Sequence, residues 1–100
     1  MRIANRKSYE YTTTQRPFIA NNLYAENIND RFYVVYSYGP HWPLWVYDRQ
    51  VRVWYGHNSK YSQTTSKHKF QSKPSVETTD SIIIFPNVEL LKKLISEVKS

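Results

Sequence analysis

The side chains best suited to chemistry lie in one run in the second half of the chain, where hydroxyl, imidazole and ammonium groups follow one another without an aliphatic residue. Serine and threonine hydroxyls, the N–H groups at the start of a helix and a lysine can together bind a phosphate group. We therefore predict a phosphate-binding surface here. Its candidate residues are Ser62, Thr64, Thr65, Ser66, Lys67 and His68. The simpler alternative is a hydroxyl-rich helix cap beside solvated lysines.

The excess positive charge of the protein is confined to the same region. The chain carries a formal net charge of +6 at pH 7. Between Asp48 and Glu77 there are basic residues but no acidic ones, whereas the rest of the chain is balanced. The basic residues of this segment are Arg49, Arg52, Lys60, Lys67, Lys69 and Lys73. Such a segment with interleaved aromatic residues predicts an anionic partner, and a solvated surface is the alternative.

Aromatic residues near this segment favour single-stranded nucleic acid, ahead of a free nucleotide, as the ligand. Lysine and arginine neutralise phosphates, and exposed aromatic rings stack on unpaired bases. The stacking candidates are Trp42, Trp45, Trp54 and Tyr61. Further phosphate-binding candidates are Arg52, Lys60 and Lys69. Aromatic and basic residues are also frequent at the centres of protein interfaces, so the alternative is an inhibitor that binds an acidic face of another protein.

Catalysis is a second alternative for these residues. Two imidazoles and an ammonium group can transfer protons and stabilise a phosphate without a metal, as a metal-independent nuclease requires. The candidates for that chemistry are His41, His57 and His68 with Lys67 or Lys69. A nucleophile at Ser62 would lack the flanking glycines of a nucleophile elbow. We commit to no catalytic residue and expect a binding protein rather than an enzyme.

The composition argues against cofactors and metals. The chain contains no cysteine, so the core must stabilise the fold without disulfides, as is usual in a reducing cytosol. Zinc needs at least three good ligands, and His57 and His68 have no carboxylate near them in the sequence. The glycines of a Walker loop are also missing. We expect neither a metal nor a cofactor.

Length and hydropathy predict one domain that covers residues 1–100, acts in the cytoplasm and has no membrane partner. One hundred residues suffice for a single modest core. The N-terminal residues have no apolar segment typical of a signal peptide, and the longest aliphatic run, at residues 82–85, is far too short to span a bilayer.

The first third of the chain predicts short strands. Tyr9, Tyr11 and Thr13 alternate with polar residues, which indicates a strand at residues 8–14. Its continuation at residues 18–19 follows Pro17, which is typical of an edge strand. Residues 23–28 fit either a short strand or a helical turn.

The middle of the chain predicts a three-strand antiparallel meander. Residues 32–38 are almost all aromatic or β-branched, which indicates a central strand. A proline-stiffened loop leads to a second strand at residues 44–47, and a turn leads to a third at residues 51–55. On the third strand, Val51, Val53 and Tyr55 are expected on one face, and Arg52 and Trp54 on the other.

After the meander we expect a long polar functional loop at about residues 57–75, with one helical turn at residues 67–71. A buried strand follows at residues 82–85, and Asn87 then caps a C-terminal helix. The apolar stripe of that helix consists of Val88, Leu91, Leu94, Ile95 and Val98. The predicted fold is α+β: an antiparallel sheet of about five strands with this helix packed on one face.

Several segments resemble a family of small uncharacterised proteins carried by phages, plasmids and other mobile elements. The matching segments are Tyr33-Val34-Val35-Tyr36-Ser37-Tyr38-Gly39, His41-Trp42-Pro43-Leu44, Val46-Tyr47, Trp54, Lys60-Tyr61-Ser62 and Thr64-Thr65-Ser66-Lys67-His68. The resemblance implies an accessory protein that acts in the cytoplasm of a prokaryotic host on defence or gene expression, and it assigns no chemistry. The partner, nucleic acid or an acidic host protein, is predicted from the basic and aromatic residues alone. The resemblance also implies that the hydroxyl, lysine and histidine residues of the last segments act as a group.

Overall fold

The computed structural model describes residues 2–59, 63–74 and 81–99, apart from the side chains of residues 63–66 and 99. Three α-helices lie in these ranges: α1 (Ser8–Thr13), α2 (Gln63–Gln71) and α3 (Val88–Lys99). None of the helices in the described ranges is long and apolar enough to cross a membrane. The strands are β1 (Phe18–Ala20), β2 (Leu23–Asn27), β3 (Phe32–Ser37), β4 (Pro43–Asp48), β5 (Val53–His57) and β6 (Ser81–Phe85).

The strands form one sheet in the order β1-β2-β3-β4-β5-β6. The predicted α+β class is confirmed. The prediction of about five antiparallel strands is wrong in two respects, because the described residues form six strands and β6 runs parallel to β5. A parallel pair needs a crossover connection, and the segment between β5 and β6 contains α2.

The predicted meander of β3, β4 and β5 forms the centre of the sheet. Every residue of β3 and β4 is buried, so both faces of these strands are covered. Their aromatic and β-branched side chains favour a pleated, buried surface, which is why the sequence predicts them well. β5 begins at Val53 rather than Val51, because Arg52 lies in the turn with φ of 58°.

One face of the sheet is covered by α3, as predicted. Asn87 caps the helix, and its side-chain oxygen accepts a hydrogen bond from the Leu90 N–H at 3.1 Å. Leu91 and Ile95 are buried in a cluster with residues of β3 and β4. Burying one such side chain contributes roughly 1.5–3 kcal/mol, so this stripe fixes the helix on the sheet.

Helices α1 and α2 lie toward the opposite face, and the strand predicted at residues 8–14 is wrong. Ser8 and Thr12 are the buried residues of α1, one helical turn apart. The Thr12 hydroxyl donates to the Ser8 carbonyl at 3.0 Å, and the Ser8 hydroxyl donates to the Gln71 carbonyl of α2 at 3.0 Å. Small hydroxyl residues therefore form the buried face, and the alternating tyrosines that indicate a strand lie on more exposed sides.

The long polar loop predicted at residues 57–75 is in part a helix. Helix α2 begins at Gln63, four residues before the helical turn predicted at residues 67–71. A hydroxyl-rich sequence with a single exposed aromatic residue has no apolar stripe, so its periodicity could not reveal the helix. Residues 60–62 and 75 of the predicted loop lie outside the described residues.

A charge pair joins the start of β3 to the end of β4. The Arg31 guanidinium donates two hydrogen bonds to the Asp48 carboxylate, at 2.8 and 2.7 Å. Asp48 is buried and also accepts a bond from the Gln50 N–H at 3.0 Å. The bond from Arg31 is the main cause that lowers the pKa of Asp48. The pair therefore fixes the turn that leads into β5.

We expect the Asp48→Asn substitution to lower the free energy of unfolding by about 2 kcal/mol at pH 7, the range for hydrogen bonds to a charged group. A lowered pKa in the folded state stabilises the protein above the carboxylate's unfolded pKa of about 3.9, and this contribution is lost as the pH falls through the folded pKa. Urea unfolding at pH 7 and pH 3 should show the gap between wild type and variant shrinking in acid. Asp30→Asn, at an exposed position, is the control; a gap independent of pH would contradict this account.

Candidate functional site

Two of the predicted stacking residues belong to the core. Trp54 is 1% exposed and packs edge-on against Tyr33, with ring centroids 6.3 Å apart. Trp45 is 2% exposed, and its indole N–H donates to the Lys69 carbonyl of α2 at 3.3 Å. Neither ring presents an open face on which a base could stack.

The other two stacking candidates differ in position. Trp42 is partly buried and packs edge-on against His57 at 5.6 Å. Tyr61 lies outside the described residues. The structure therefore does not bring the predicted aromatic residues together on one exposed surface within the part of the chain that it describes.

His57 is a buried structural residue. Its Nδ1 accepts a hydrogen bond from the Ser59 N–H at 3.1 Å, so its Nε2 carries the proton and donates to the Pro43 carbonyl at 2.9 Å. Burial is the main cause that lowers its pKa, and the nearby Lys69 lowers it further. Both nitrogens of the neutral ring are occupied, which leaves none for proton transfer to a ligand.

His68 also points inward. The ring is 4% exposed, and its Nδ1 lies 2.8 Å from the Ser37 hydroxyl at the end of β3. The ring also lies 5.6 Å from that of Tyr38. Burial, and then the charge of Lys67, lower the pKa of His68. This histidine therefore joins α2 to β3 as a neutral group.

Lys69 makes a further contact between α2 and the sheet, on the side of β4 and β5. Its ammonium group donates to the His57 carbonyl and lies 5.7 Å from the centre of the Trp45 ring. Partial burial, followed by the charge of Lys73, lowers its pKa. Because the ammonium group is already engaged, Lys69 is poorly placed to neutralise a phosphate.

The remaining predicted residues are described only in part. Lys67 is exposed on α2, and Arg52 is exposed in the turn before β5. Lys60 and Ser62 lie outside the described residues, as do the side chains of the predicted candidates Thr64, Thr65 and Ser66. Of the predicted phosphate-binding side chains in this segment, the structure describes those of Lys67, His68 and Lys69. The side chains of His68 and Lys69 point inward.

The three histidines of the predicted nuclease alternative have different surroundings. His41 is exposed in the loop between β3 and β4, whereas His57 and His68 are each paired with a group of the protein. General acid–base catalysis needs such groups within reach of one substrate. Within the described residues, no three histidine, aspartate or glutamate side chains are grouped closely enough to hold a metal ion.

An apolar cleft lies between α2 and β6. Two of its lining residues, Trp45 and Lys69, are among the predicted stacking and phosphate-binding candidates, but the cleft itself is not predicted by the sequence. Its volume is about 610 Å³. Trp45, Ile82 and Ile84 line it from the sheet, and the end of α2 contributes Phe70. The other described lining residues are Lys69, Lys73 and Pro74. The signal in the sequence was Phe70, the single phenylalanine, tyrosine or tryptophan of α2.

The walls of the cleft are unusually exposed for apolar side chains. Phe70 is 82% exposed, and Ile82 and Ile84 are 38% and 42% exposed. The strand predicted at residues 82–85 is present as β6, but the prediction that it is buried is wrong. Because β6 lies at the edge of the sheet, a neighbouring strand covers its side chains on one side only. An aliphatic run alone cannot distinguish a central strand from such an edge.

Gly56 shapes the floor of the cleft. It lies on β5 directly beneath the Trp45 ring, and a Cβ at this position would lie 2.6 Å from Trp45 Cζ3 and 3.1 Å from Ile84 Cδ1. No carbon atom fits at 2.6 Å, so only glycine lets the indole ring lie against the strand. The position of Trp45, and with it that of α2, depends on this missing side chain.

Comparison of the chain with models of protein families, with curated proteins and with solved structures finds no match.

We expect the Gly56→Ala substitution to destabilise the protein by about 1–3 kcal/mol, the usual cost of adding a carbon to a packed core. The added methyl group must displace the indole ring, which also moves the carbonyl of α2 that it contacts. Urea unfolding and the tryptophan emission spectrum measure both effects. Gly39→Ala is the control, because its Cβ would meet only the exposed His41 side chain at 3.1 Å. Equal stability of the two variants would contradict the packing described here.

We also expect the protein to lose stability between pH 7 and pH 5. The pKa values of His57 and His68 are lowered in the folded state, so the unfolded chain binds more protons near pH 6.5, and stability rises with pH through this range. His68→Asn should be less stable at pH 7.5, because it breaks the contact with Ser37, but should depend less on pH.

Chemical unfolding at a series of pH values tests this expectation. His41→Asn, which removes an exposed imidazole, is the control and should follow the wild type. A variant at position 68 that keeps the full pH dependence of the wild type would show that this histidine is not held neutral.

Proposed function

We propose that this protein is a binding domain that engages another protein through the cleft between α2 and β6. The supporting observation is the exposed apolar surface of Phe70, Ile82 and Ile84 around one cleft. Contiguous exposed apolar side chains in a folded protein are typical of an interaction site, because their burial by a partner is favourable. The accessory role implied by the sequence resemblance makes a host protein the candidate partner.

The geometry favours a protein over a nucleic acid for a physical reason. Aliphatic side chains such as Ile82 and Ile84 offer neither a flat ring for a base nor a charge for a phosphate. They are, however, suited to side chains of a partner, with Phe70 as an aromatic anchor of the kind that dominates interface energies. Lys69 and Lys73 at the cleft supply a polar rim.

Single-stranded nucleic acid is the second candidate, on the strength of α2. Phe70 is a fully available ring, and Lys67 lies three residues before it on the same side of the helix. Lys73, which is exposed, follows shortly after the helix ends. A base could stack on the ring while the lysines contact the adjoining phosphates.

Selection of displayed random peptides on the immobilised protein tests the first proposal. We expect the selected peptides to lose at least about tenfold in affinity for Phe70→Ser, as for an interface hot spot, while stability stays within about 0.5 kcal/mol. Tyr9→Ser removes another exposed aromatic residue, away from the cleft, and should bind normally. Selected peptides that bind Phe70→Ser as tightly as wild type would place the binding surface elsewhere.

Fluorescence anisotropy of labelled single-stranded DNA and RNA tests the second candidate. If nucleic acid is the ligand, binding saturates, weakens as salt rises, and is reduced by Phe70→Ser as well as by combined Lys67→Ala and Lys73→Ala. Arg6→Ala with Lys7→Ala, which removes the same charge from the N-terminal segment, is the control. The absence of binding at low salt would eliminate this candidate.

A further inference from the structure

Strand β6 is an edge strand of the described sheet. Within residues 2–59, 63–74 and 81–99, this strand pairs with β5 alone, and it is the last strand of the sheet. All of its first four residues are exposed. An exposed, apolar edge strand carries unpaired backbone groups that can accept a further strand, and proteins usually blunt such edges with charges or proline. Residues 81–85 contain neither.

The hydrogen-bond register shows which backbone groups point outward. The Ser81 N–H donates to the Arg52 carbonyl at 3.1 Å, and the Phe85 carbonyl accepts from the Asn58 N–H at 3.1 Å. In a parallel pair, alternate residues bond to the same neighbour. Ser81, Ile83 and Phe85 therefore bond to β5. The N–H and C=O groups of Ile82 and Ile84 point away from the sheet.

The same two residues line the apolar cleft. Ile82 and Ile84 are level with Trp54 and Gly56 of β5, so their side chains lie on the face of the sheet that α2 covers. A strand added beside β6 would place every second side chain on this face, next to Phe70. Backbone bonding and apolar contact would thus be satisfied by one extended segment.

The charges around the cleft indicate the chemistry of that segment. Among the described residues that line the cleft, Lys73 is exposed, Lys69 adds its positive charge although its ammonium group bonds to the His57 carbonyl, and none carries a carboxylate. With the net charge of +6, this surface attracts an acidic segment. A second copy of this chain is less suitable, because a two-fold pairing of β6 edges would bring the same lysines toward each other.

The geometry points to strand addition as the binding mode: β6 takes up an extended segment of the partner whose cleft-facing side chains, at every second position, are apolar in the middle and acidic on either side. The outward groups of Ile82 and Ile84 bond to its backbone, its apolar side chains enter the cleft beside Phe70, and its carboxylates, on the same face, lie toward Lys73. This inference rests on the proposed protein-binding function and specifies the partner's chemistry and conformation.

The probe is a synthetic peptide of sequence Glu-Thr-Val-Thr-Val-Thr-Glu, in which the glutamates and valines share one face, and the matched control peptide has lysine in place of each glutamate. We expect the acidic peptide to bind at least about tenfold more tightly than the basic one, because the lysines at the cleft attract the first and repel the second. Amide hydrogen exchange followed by NMR gives the decisive signature. The amides of Ile82 and Ile84 should exchange quickly in the free protein and become protected with the acidic peptide.

Two substitutions of Ile82 separate the contribution of its backbone N–H to peptide affinity from that of its side chain. Ile82→Pro removes the outward N–H but suits an edge strand, whereas Ile82→Val keeps that N–H and most of the side chain. We expect the proline variant to lose at least about tenfold in affinity and the valine variant to bind nearly as wild type. If the proline variant does not fold, the exchange of the two amides in the wild type still decides the question.

The other outcomes are distinguishable. A peptide that binds in the cleft while both amides keep exchanging would overturn strand addition and leave the proposed function standing. Equal affinity for the acidic and basic peptides would overturn the inference that the partner's segment is acidic. Protection that grows with protein concentration, without peptide, would make a second copy the occupant. If the displayed peptides selected above also fail to depend on Phe70, the proposed function fails together with the inference.

Discussion

The contact between Trp45 and Gly56 is the constraint on which the rest of the structure depends. Because Gly56 has no side chain, the indole ring can lie against β5, and its N–H then reaches the Lys69 carbonyl of α2. This bond sets the distance between α2 and the sheet. The helix consequently stops short of β6 and leaves a cleft instead of a closed core.

The polar residues of α2 serve mainly to hold this arrangement. His68 reaches Ser37 on β3, and Lys69 reaches the His57 carbonyl on β5, so two residues that are well suited to bind an anion instead tie the helix to the sheet. Their pKa values are lowered because they are partly removed from water. What α2 offers to a partner is Phe70, with exposed lysines on either side.

The sequence predicts an element correctly where the residue types of that element match its burial in the fold. β3 and β4 are recognisable because their residues suit a strand buried on both faces, and α3 because its stripe and its cap at Asn87 are both present. Where the two disagree, the pattern misleads: α1 buries small hydroxyls and so resembles a strand, while β6 is aliphatic but lies at an edge. The cleft depends on distant segments and on a missing side chain at Gly56, which no local pattern records.

The central claim is that the cleft between α2 and β6 is where this domain binds its partner. The most direct test is an NMR titration of isoleucine methyl groups with a peptide selected on the wild-type protein. Ile19, which is 55% exposed on the opposite edge strand, provides an internal control. We expect the methyl signals of Ile82 and Ile84 to shift in a saturable way, while the chemical shifts of Ile19 stay unchanged. Shifts at Ile19 with unchanged signals from Ile82 and Ile84 would contradict the claim.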